Sequence, residues 1–303
     1  MPGRDRIEAG FEQVRAERFL HSHRDQAADA AFWRGLNPRL TISDRPFAPA
    51  VTPAPVDPAV ASRAAAQLLE EGCYLTPPLL AQGAVEALRT GVERVVEAGF
   101  PPVFACVYDE FYRAFAGLDG LFTPLLGAGY LLGLHGLWTF FVPAGDPAYA
   151  RWTALAPHRD SLGPDPAVLA RRLPSVVTVW IPLTDVTPLD SCMYLVPAAC
   201  DPDYYSEERG VRPERIRLQD VRALPAAAGS VVGWSTHAVH WGSRSSRFAE
   251  GPRVAVTAYL QRGDLPPRHP FTVDFEAPLP FGTRLAWIAE SLHEPELFGR
   301  VAR

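Results

Sequence analysis

The chain has 303 residues, 48% of them hydrophobic, which is enough for one large domain or two small ones with a core that needs no disulfide staples. A net charge of −5 without a basic stripe argues against a nucleic-acid surface, and the 29 basic residues are all arginine, a bias that fits a GC-rich coding sequence better than a function. Cys73, Cys106, Cys192 and Cys200 show no C-x-x-C spacing, so neither a zinc site nor a disulfide framework is indicated, and a reducing cytoplasm fits best.

Met1 to Leu20 mixes acids and bases without an apolar run, so no signal peptide is expected. Arg4 to Leu36 interleaves charges with Phe11, Val14, Phe19, Leu20 and Phe32, as in a helical arm lying on a larger body, with residues 1–45 as its extent. Pro46 to Pro58 is a Pro/Ala linker whose missing N–H groups forbid regular pairing, and residues 59–303 form a single domain. Within it, Val60 to Glu71 reads as a helix stopped at Gly72, Tyr74 to Leu75 as a short strand, and Gln82 to Ala98 as an amphipathic helix closed by Gly99. Phe100 to Leu121 is aromatic and mixed. The most apolar stretch, Leu121 to Val142, is broken by Pro124, several glycines and His135, so no membrane span is expected; Gly127, Gly129 and Gly133 within it lack the spacing of a dinucleotide loop and read as a tight, buried connection. Strands then dominate: Leu137 to Val142, Val176 to Pro182, Cys192 to Pro197, Gly229 to Trp234 and Val254 to Leu260. Helices first and many short strands later predict a mainly β core with helices packed outside, an α+β fold.

The chemistry concentrates in His158-Arg159-Asp160, with His237 and His240 far downstream and Arg253 after them. Residues i and i+2 lie on one side of an extended segment, so His158 and Asp160 can face one metal while Arg159 points away. Two imidazoles and a carboxylate on one face of an iron leave the other face open, as in non-heme Fe(II) oxygenases, and an arginine beyond the last histidine can clamp the distal carboxylate of 2-oxoglutarate. The triplet also imitates a protein-kinase catalytic loop, but a chain without lysine cannot supply the kinase phosphate contacts. His237 and His240 both stand as third ligand at this point. In Arg253 to Leu260 strict alternation puts Arg253, Thr257 and Tyr259 on one face and Val254, Val256 and Leu260 on the other.

The ordered set Pro157-His158-Arg159-Asp160, Val177 to Pro188, Cys192-Met193 through Pro197, Gly229 to Trp234 and His240-Trp241-Gly242-Ser243 with Arg253 resembles the phytanoyl-CoA dioxygenase-like (PhyH) family of iron and 2-oxoglutarate oxygenases, across roughly Gly72 to Leu260. The resemblance implies a double-stranded β-helix, a jelly-roll or cupin-like barrel with the metal at its open end. It implies His158, Asp160 and His240 as ligands of Fe(II), with His237 as the rival third ligand. His240 is preferred because His240-Trp241-Gly242-Ser243 looks like the family's His-x-Gly-Ser stretch. It further implies that Arg253 and Trp180 contact 2-oxoglutarate. Ala255 stands where many relatives carry the serine of an Arg-x-Ser pair, which leaves Ser243 or Thr257 to supply that hydroxyl, and Asp190-Ser191 stands where relatives often have Asn-Gly.

With that set, 2-oxoglutarate and O2 would be the cosubstrates, and hydroxylation of an unactivated C–H bond in a small metabolite, of the kind found in specialised metabolism, the expected reaction, with release of succinate and carbon dioxide. Asp160 leaves no vacancy for a halide, while desaturation, cyclisation and epimerisation share the same ligand set. Tyr108, Asp109, Tyr112, Trp138 and Phe140 are the expected cavity lining, with Arg159 and His237 as further substrate contacts, and Arg171 and Arg172 are a rim suited to an anionic molecule. The expected partners are a small-molecule substrate, no nucleic acid and no membrane, in a monomer or homodimer. A zinc enzyme activating water, and a barrel that only binds a ligand, are the readings from other classes.

Overall fold

The computed structural model describes residues 21–47, 55–145, 156–160, 163–208, 210–268 and 272–292. Two short helices, α1 (Arg24–Ala28) and α2 (Ala30–Leu36), come first, the second capped by the Asp29 carboxylate accepting from the Ala31 N–H at 2.8 Å. Most of this segment is exposed, and one large ring anchors it to the body beneath. Trp33 is fully buried among Phe100, Phe104 and Tyr108, and its indole donates to the Ala27 carbonyl at 2.8 Å. Burying so large a ring stabilises by a few kcal/mol, far more than a surface helix of seven residues could gain from its own hydrogen bonds. The arm before residue 21, and linker residues 48–54, lie outside the described residues. Phe47, at the start of the linker, is buried and stacks on Tyr112 at 4.2 Å.

α3 (Pro58–Glu71) starts with Pro58 behind an Asp57 cap and stops at Gly72, whose φ of 77° is the left-handed conformation glycine adopts without strain. β1 (Cys73–Pro78) follows, longer than the two residues expected, and then α4 (Gln82–Glu97), whose Val85, Leu88, Val92 and Val95 are buried on one face. The aromatic run beyond it is helical: a 3-10 turn over Pro102–Val107, α5 (Glu110–Ala116) and α6 (Asp119–Leu126). Gly127 and Gly129 then turn the chain with φ of 83° and 68°; they are exposed, not buried.

Nine strands make two antiparallel sheets among the described residues. β1, β2 (Leu131–Val142), β3 (Val176–Pro182), β6 (Ser230–Ser235), β8 (Arg253–Gln261) and β9 (Thr272–Val273) form the larger, in the order β1-β6-β3-β8-β2-β9. β4 (Met193–Val196), β5 (Arg222–Leu224) and β7 (Val239–Gly242) form the smaller, in the order β5-β4-β7, with a short helix α7 (Pro166–Leu169) before β3 and a last helix α8 (Phe281–Ser291) behind the larger sheet. The period of two sorts the larger sheet's side chains. Val177, Val179, Ile181, Val254, Val256, Ala258 and Leu260 join the helices in one apolar core, while Trp180 and Ala255 face the smaller sheet in a second. This is the double-stranded β-helix, with helices flanking one sheet and the second sheet closing the other face. No helix among the described residues is long and apolar enough to cross a membrane.

Tyr108, Asp109 and Tyr112 belong to the helical side and do not line the cavity between the sheets. Tyr108 donates to the Trp33 carbonyl at 2.7 Å, and Tyr112 to the Cys106 carbonyl at 2.9 Å. Asp109 meets the fully buried Arg284 at 2.7 Å. Burial alone would raise its carboxyl, but hydrogen bonds from Ser43 and Arg284 outweigh that and hold it below the ordinary range. Sequence alone could not separate aromatic residues packed behind the sheet from those in front of it, because both environments are apolar.

Candidate metal centre

His158 is joined to the smaller sheet by a two-way backbone bridge to His240: the His158 N–H donates to the His240 carbonyl at 3.1 Å, and the reverse bond is 3.0 Å. The imidazoles therefore stand side by side, with centroids 4.3 Å apart. Each ring is oriented in the same way. The Nδ1–H of His158 donates to the Ala156 carbonyl at 3.0 Å and that of His240 to the Ala238 carbonyl at 3.2 Å, which leaves both Nε2 lone pairs for a common ligand. The Asp160 carboxylate completes the group: donor atoms of His158, Asp160 and His240 all lie within 4.8 Å of one another, and His240 Nε2 is 3.7 Å from Asp160 Oδ1. Burial holds the His240 imidazole below its ordinary pKa, against the opposing pull of Asp160, so the ring is neutral at pH 7, the form that binds a metal.

The carboxylate is held by one transverse row of the larger sheet. Trp234 on β6, Thr178 on β3, Tyr259 on β8 and Gly133 on β2 are registered neighbours. Tyr259 donates its hydroxyl to Asp160 Oδ1 at 2.8 Å, Thr178 to Oδ2 at 2.6 Å, and the Trp234 indole to Oδ2 at 3.3 Å. Such donors fix the orientation of a carboxylate ligand. Alternation along β8 puts Tyr259 on the face of Arg253, and along β3 it puts Thr178 on that of Trp180, but their shared partner depends on strand register, which alternation does not reveal.

Arg253 stands at the opposite end of the same face, six residues back along β8. It is buried, and its planar group lies 5.5 Å from the Phe140 ring and 6.0 Å from the Trp180 ring. One amino group donates to the Ser191 carbonyl at 2.7 Å, whereas the Nε–H is buried with no acceptor among the described residues. Burial pushes its pKa down to about 10, so it remains a cation at neutral pH. A desolvated guanidinium whose one hydrogen bond among the described residues goes to a backbone carbonyl is suited to receive an anion. Ser191 has φ of 65°, the left-handed conformation that the Asn-Gly of relatives adopts more easily, and this turn places its carbonyl on Arg253.

Between these ends lies a cavity of about 200 Å³ lined by the three metal-site residues, Arg253, Thr178, Trp180, Thr257, Trp138, Phe140, Met193, Trp234, Tyr259, His135 and the glycines Gly136 and Gly242. Thr257 lines it while donating to the Val179 carbonyl at 2.9 Å. Ser243 does not: β7 turns it outward, into a surface cleft with Tyr194, Trp241 and Arg244, where its hydroxyl is buried without a partner. His237 is not in the cavity either. Its Nε2 accepts from the Asp165 N–H and its Nδ1 donates to the Tyr204 carbonyl, both at 2.8 Å, so the ring ties two loops together and has no lone pair left for a metal or substrate. Arg159 points away from His158 and Asp160, as alternation requires, into a two-pronged pair with the buried Asp201 at 2.6 and 3.0 Å and a bond to the His237 carbonyl. It does not line this cavity. Arg171 lies over the Tyr205 ring at 4.1 Å, and neither it nor Arg172 lines the cavity; Ser161 and Leu162 of that loop lie outside the described residues.

Residues 113–249 match the sequence model of the family described as phytanoyl-CoA dioxygenase (PhyH), while no curated protein matches the chain. The epimerase SnoN of nogalamycin biosynthesis, solved with Fe3+, alpha ketoglutarate and nogalamycin RO, is 20% identical, with a TM-score of 0.52 over 74% of this chain and 96% of SnoN. The alpha ketoglutarate-dependent carbocyclase SnoK of the same biosynthesis is 18% identical, with a TM-score of 0.50 over 69% of this chain and 87% of SnoK. At such identities the likeness establishes the shared fold. Over residues 113–249 the chain is thus similar to the phytanoyl-CoA dioxygenase (PhyH) family, and it shares the fold of alpha ketoglutarate-dependent enzymes.

Proposed function

We propose that His158, Asp160 and His240 bind one Fe(II), that Arg253 holds the distal carboxylate of 2-oxoglutarate, and that the enzyme hydroxylates an unactivated C–H bond of a small metabolite. The observation that carries this reading is the pairing of a two-histidine, one-carboxylate donor set with a buried, under-paired arginine in one cavity. A metal alone is met by the first, and a zinc hydrolase would have no use for the second. When bound, iron and 2-oxoglutarate supply the activation of O2 and the oxidising power, with succinate and carbon dioxide as co-products.

The residues of this chain do the rest. The backbone carbonyls of Ala156 and Ala238 keep both imidazoles in the tautomer that presents Nε2, and Tyr259, Thr178 and Trp234 keep the Asp160 carboxylate aligned. Arg253 offers a planar pair of donors that match a carboxylate. Trp180, Phe140 and Met193 exclude water around it, which strengthens that contact. Thr257 is the hydroxyl that stands in the cavity where Ser243 does not. The volume is below the roughly 300–1,000 Å³ of sites that enclose a whole ligand, so it takes the cosubstrate and the reacting end of a larger molecule.

Purified protein supplied with Fe(II) and 2-oxoglutarate is expected to release succinate in amounts that rise when the organic substrate is present, and zinc in place of iron is expected to abolish release. Succinate formation indifferent to iron would sink the reading. The mass of the organic product then discriminates among outcomes: gain of one oxygen for hydroxylation, loss of two hydrogens for desaturation or ring closure, and no change for epimerisation.

A further inference from the structure

Arg159 stands in the chain between two residues of the metal site and points away from it, with its side chain 4% exposed against 6% for its partner Asp201. Two charges withdrawn from water in this way gain little net stability from each other, and an apolar pair of similar volume would fill the space as well. A planar guanidinium held at both prongs supplies something an apolar pair does not, a fixed geometry. Its Nη1 and Nη2 donate to Asp201 Oδ2 at 2.6 Å and Oδ1 at 3.0 Å, and Nη1 donates as well to the His237 carbonyl. Asp201 follows the 3-10 turn Ala198–Cys200 at the exit of β4, and its Oδ1 also accepts from the Asp203 N–H at 3.0 Å. One side chain therefore ties together the segment bearing His158 and Asp160, the turn that leads into β7, and the end of β4.

β7 is a strand that needs such a hold. It has four residues, with His240 opposite Leu195 and Trp241 opposite Tyr194, and it meets His158 through a single bridge. Backbone N–H and C=O groups recur at every residue, so a ladder this short does not choose its own register. A slip of one residue would bring Trp241, which now stacks on Tyr194 on the other face, to the place of His240. Setting register is the best-attested use of a buried polar pair. Resting on the metal reading above, we propose that Arg159 is a positioning residue: its pair with Asp201 and its bond to the His237 carbonyl set the register of β7, so that His240 stands beside His158 and Asp160.

The test removes both charges together in the full chain, by Arg159→Met with Asp201→Asn, which keeps an acceptor for the Asp203 N–H. Melting temperature is expected to stay close to that of the parent, because neither charge is left buried alone. Hydrogen exchange of the metal-free protein, followed by mass spectrometry on peptides covering 156–160 and 237–242, is expected to quicken about tenfold or more at the bridge between His158 and His240, the worth of one hydrogen bond to a charged group, while β3 and β6 keep their protection. Anaerobic calorimetry with Fe(II) is expected to show binding weakened roughly 10- to 100-fold, the usual effect of removing a group that orients a metal ligand. Arg159→Lys, whose ammonium meets Asp201 without the planar fork, should fall between the parent and the double variant on both readings. Unchanged exchange at the bridge in the folded double variant overturns the proposal, even if its melting temperature drops. If the double variant does not fold, Arg159→Lys decides, and equality with the parent in exchange overturns the proposal. Faster exchange in the variant together with a parent that binds no Fe(II) would reject the metal reading and leave the register role standing; normal Fe(II) binding with unchanged exchange would do the opposite.

Discussion

Asp160→Ala removes iron- and 2-oxoglutarate-dependent succinate release, with a loss well beyond the roughly 10- to 100-fold that follows removal of a group merely contacting a metal ligand. Two imidazoles remain, but no anion offsets the metal charge. The same change leaves the hydroxyls of Tyr259 and Thr178 and the Trp234 indole without their acceptor, at a cost of about 1–3 kcal/mol for each buried donor that water cannot reach. Melting temperature is therefore expected to fall while the fold persists, because the helical core behind the larger sheet is untouched. Asp160→Asn provides the control. Its single carbonyl oxygen can accept from one of Tyr259 and Thr178 but not from both, so it recovers part of the stability and little of the turnover. Activity retained in either variant, measured as succinate per protein with circular dichroism to verify folding, would remove Asp160 from the metal site.

Arg253→Met separates binding from stability in the opposite sense. Truncating one side of a buried charge pair costs about 2–5 kcal/mol, so the 2-oxoglutarate concentration for half-maximal turnover should rise roughly 30-fold to several-thousand-fold. Turnover at saturating cosubstrate should change much less, since His158, Asp160 and His240 keep their partners. Without cosubstrate, the native protein bears a desolvated cation whose Nε–H has no acceptor among the described residues. Replacing it with an apolar chain of similar length removes that penalty, so the cosubstrate-free variant is expected to melt no lower than the parent. A large fall in melting temperature together with unaltered cosubstrate dependence would assign Arg253 a purely structural role.

The site was legible in the sequence wherever a period of two decided the outcome. The spacing of His158 and Asp160 put both on one side and sent Arg159 to Asp201 on the other, and the alternation of β8 separated Arg253, Thr257 and Tyr259 from the valines of the core. Long-range placement was not legible. β7 is four residues long with no apolar run of its own, and only its pairing with β4 and His158 shows which of His237 and His240 turns inward. With Ala255 in place of a serine, Ser243 and Thr257 are the two expected replacements for its hydroxyl, and of these Ser243 lies one alternation step out of phase. The bulge between Gly133 and Trp138 of β2 was hidden because Leu131 to Val142 is apolar on both faces, and pairing with β8 rather than composition determines where the extra residues go. Tyr108 and Trp33 pack behind the sheet for a related reason: an aromatic residue between apolar neighbours carries no mark of which core it joins.

Anomalous diffraction at the iron edge, from crystals grown anaerobically with Fe(II) and 2-oxoglutarate, tests the central claim most directly. One peak is expected about 2 Å from Nε2 of His158, Nε2 of His240 and an Asp160 oxygen, with the cosubstrate's far carboxylate on Arg253. Iron bound elsewhere, such as at His237, or a cosubstrate that leaves Arg253 without a carboxylate, would contradict the account.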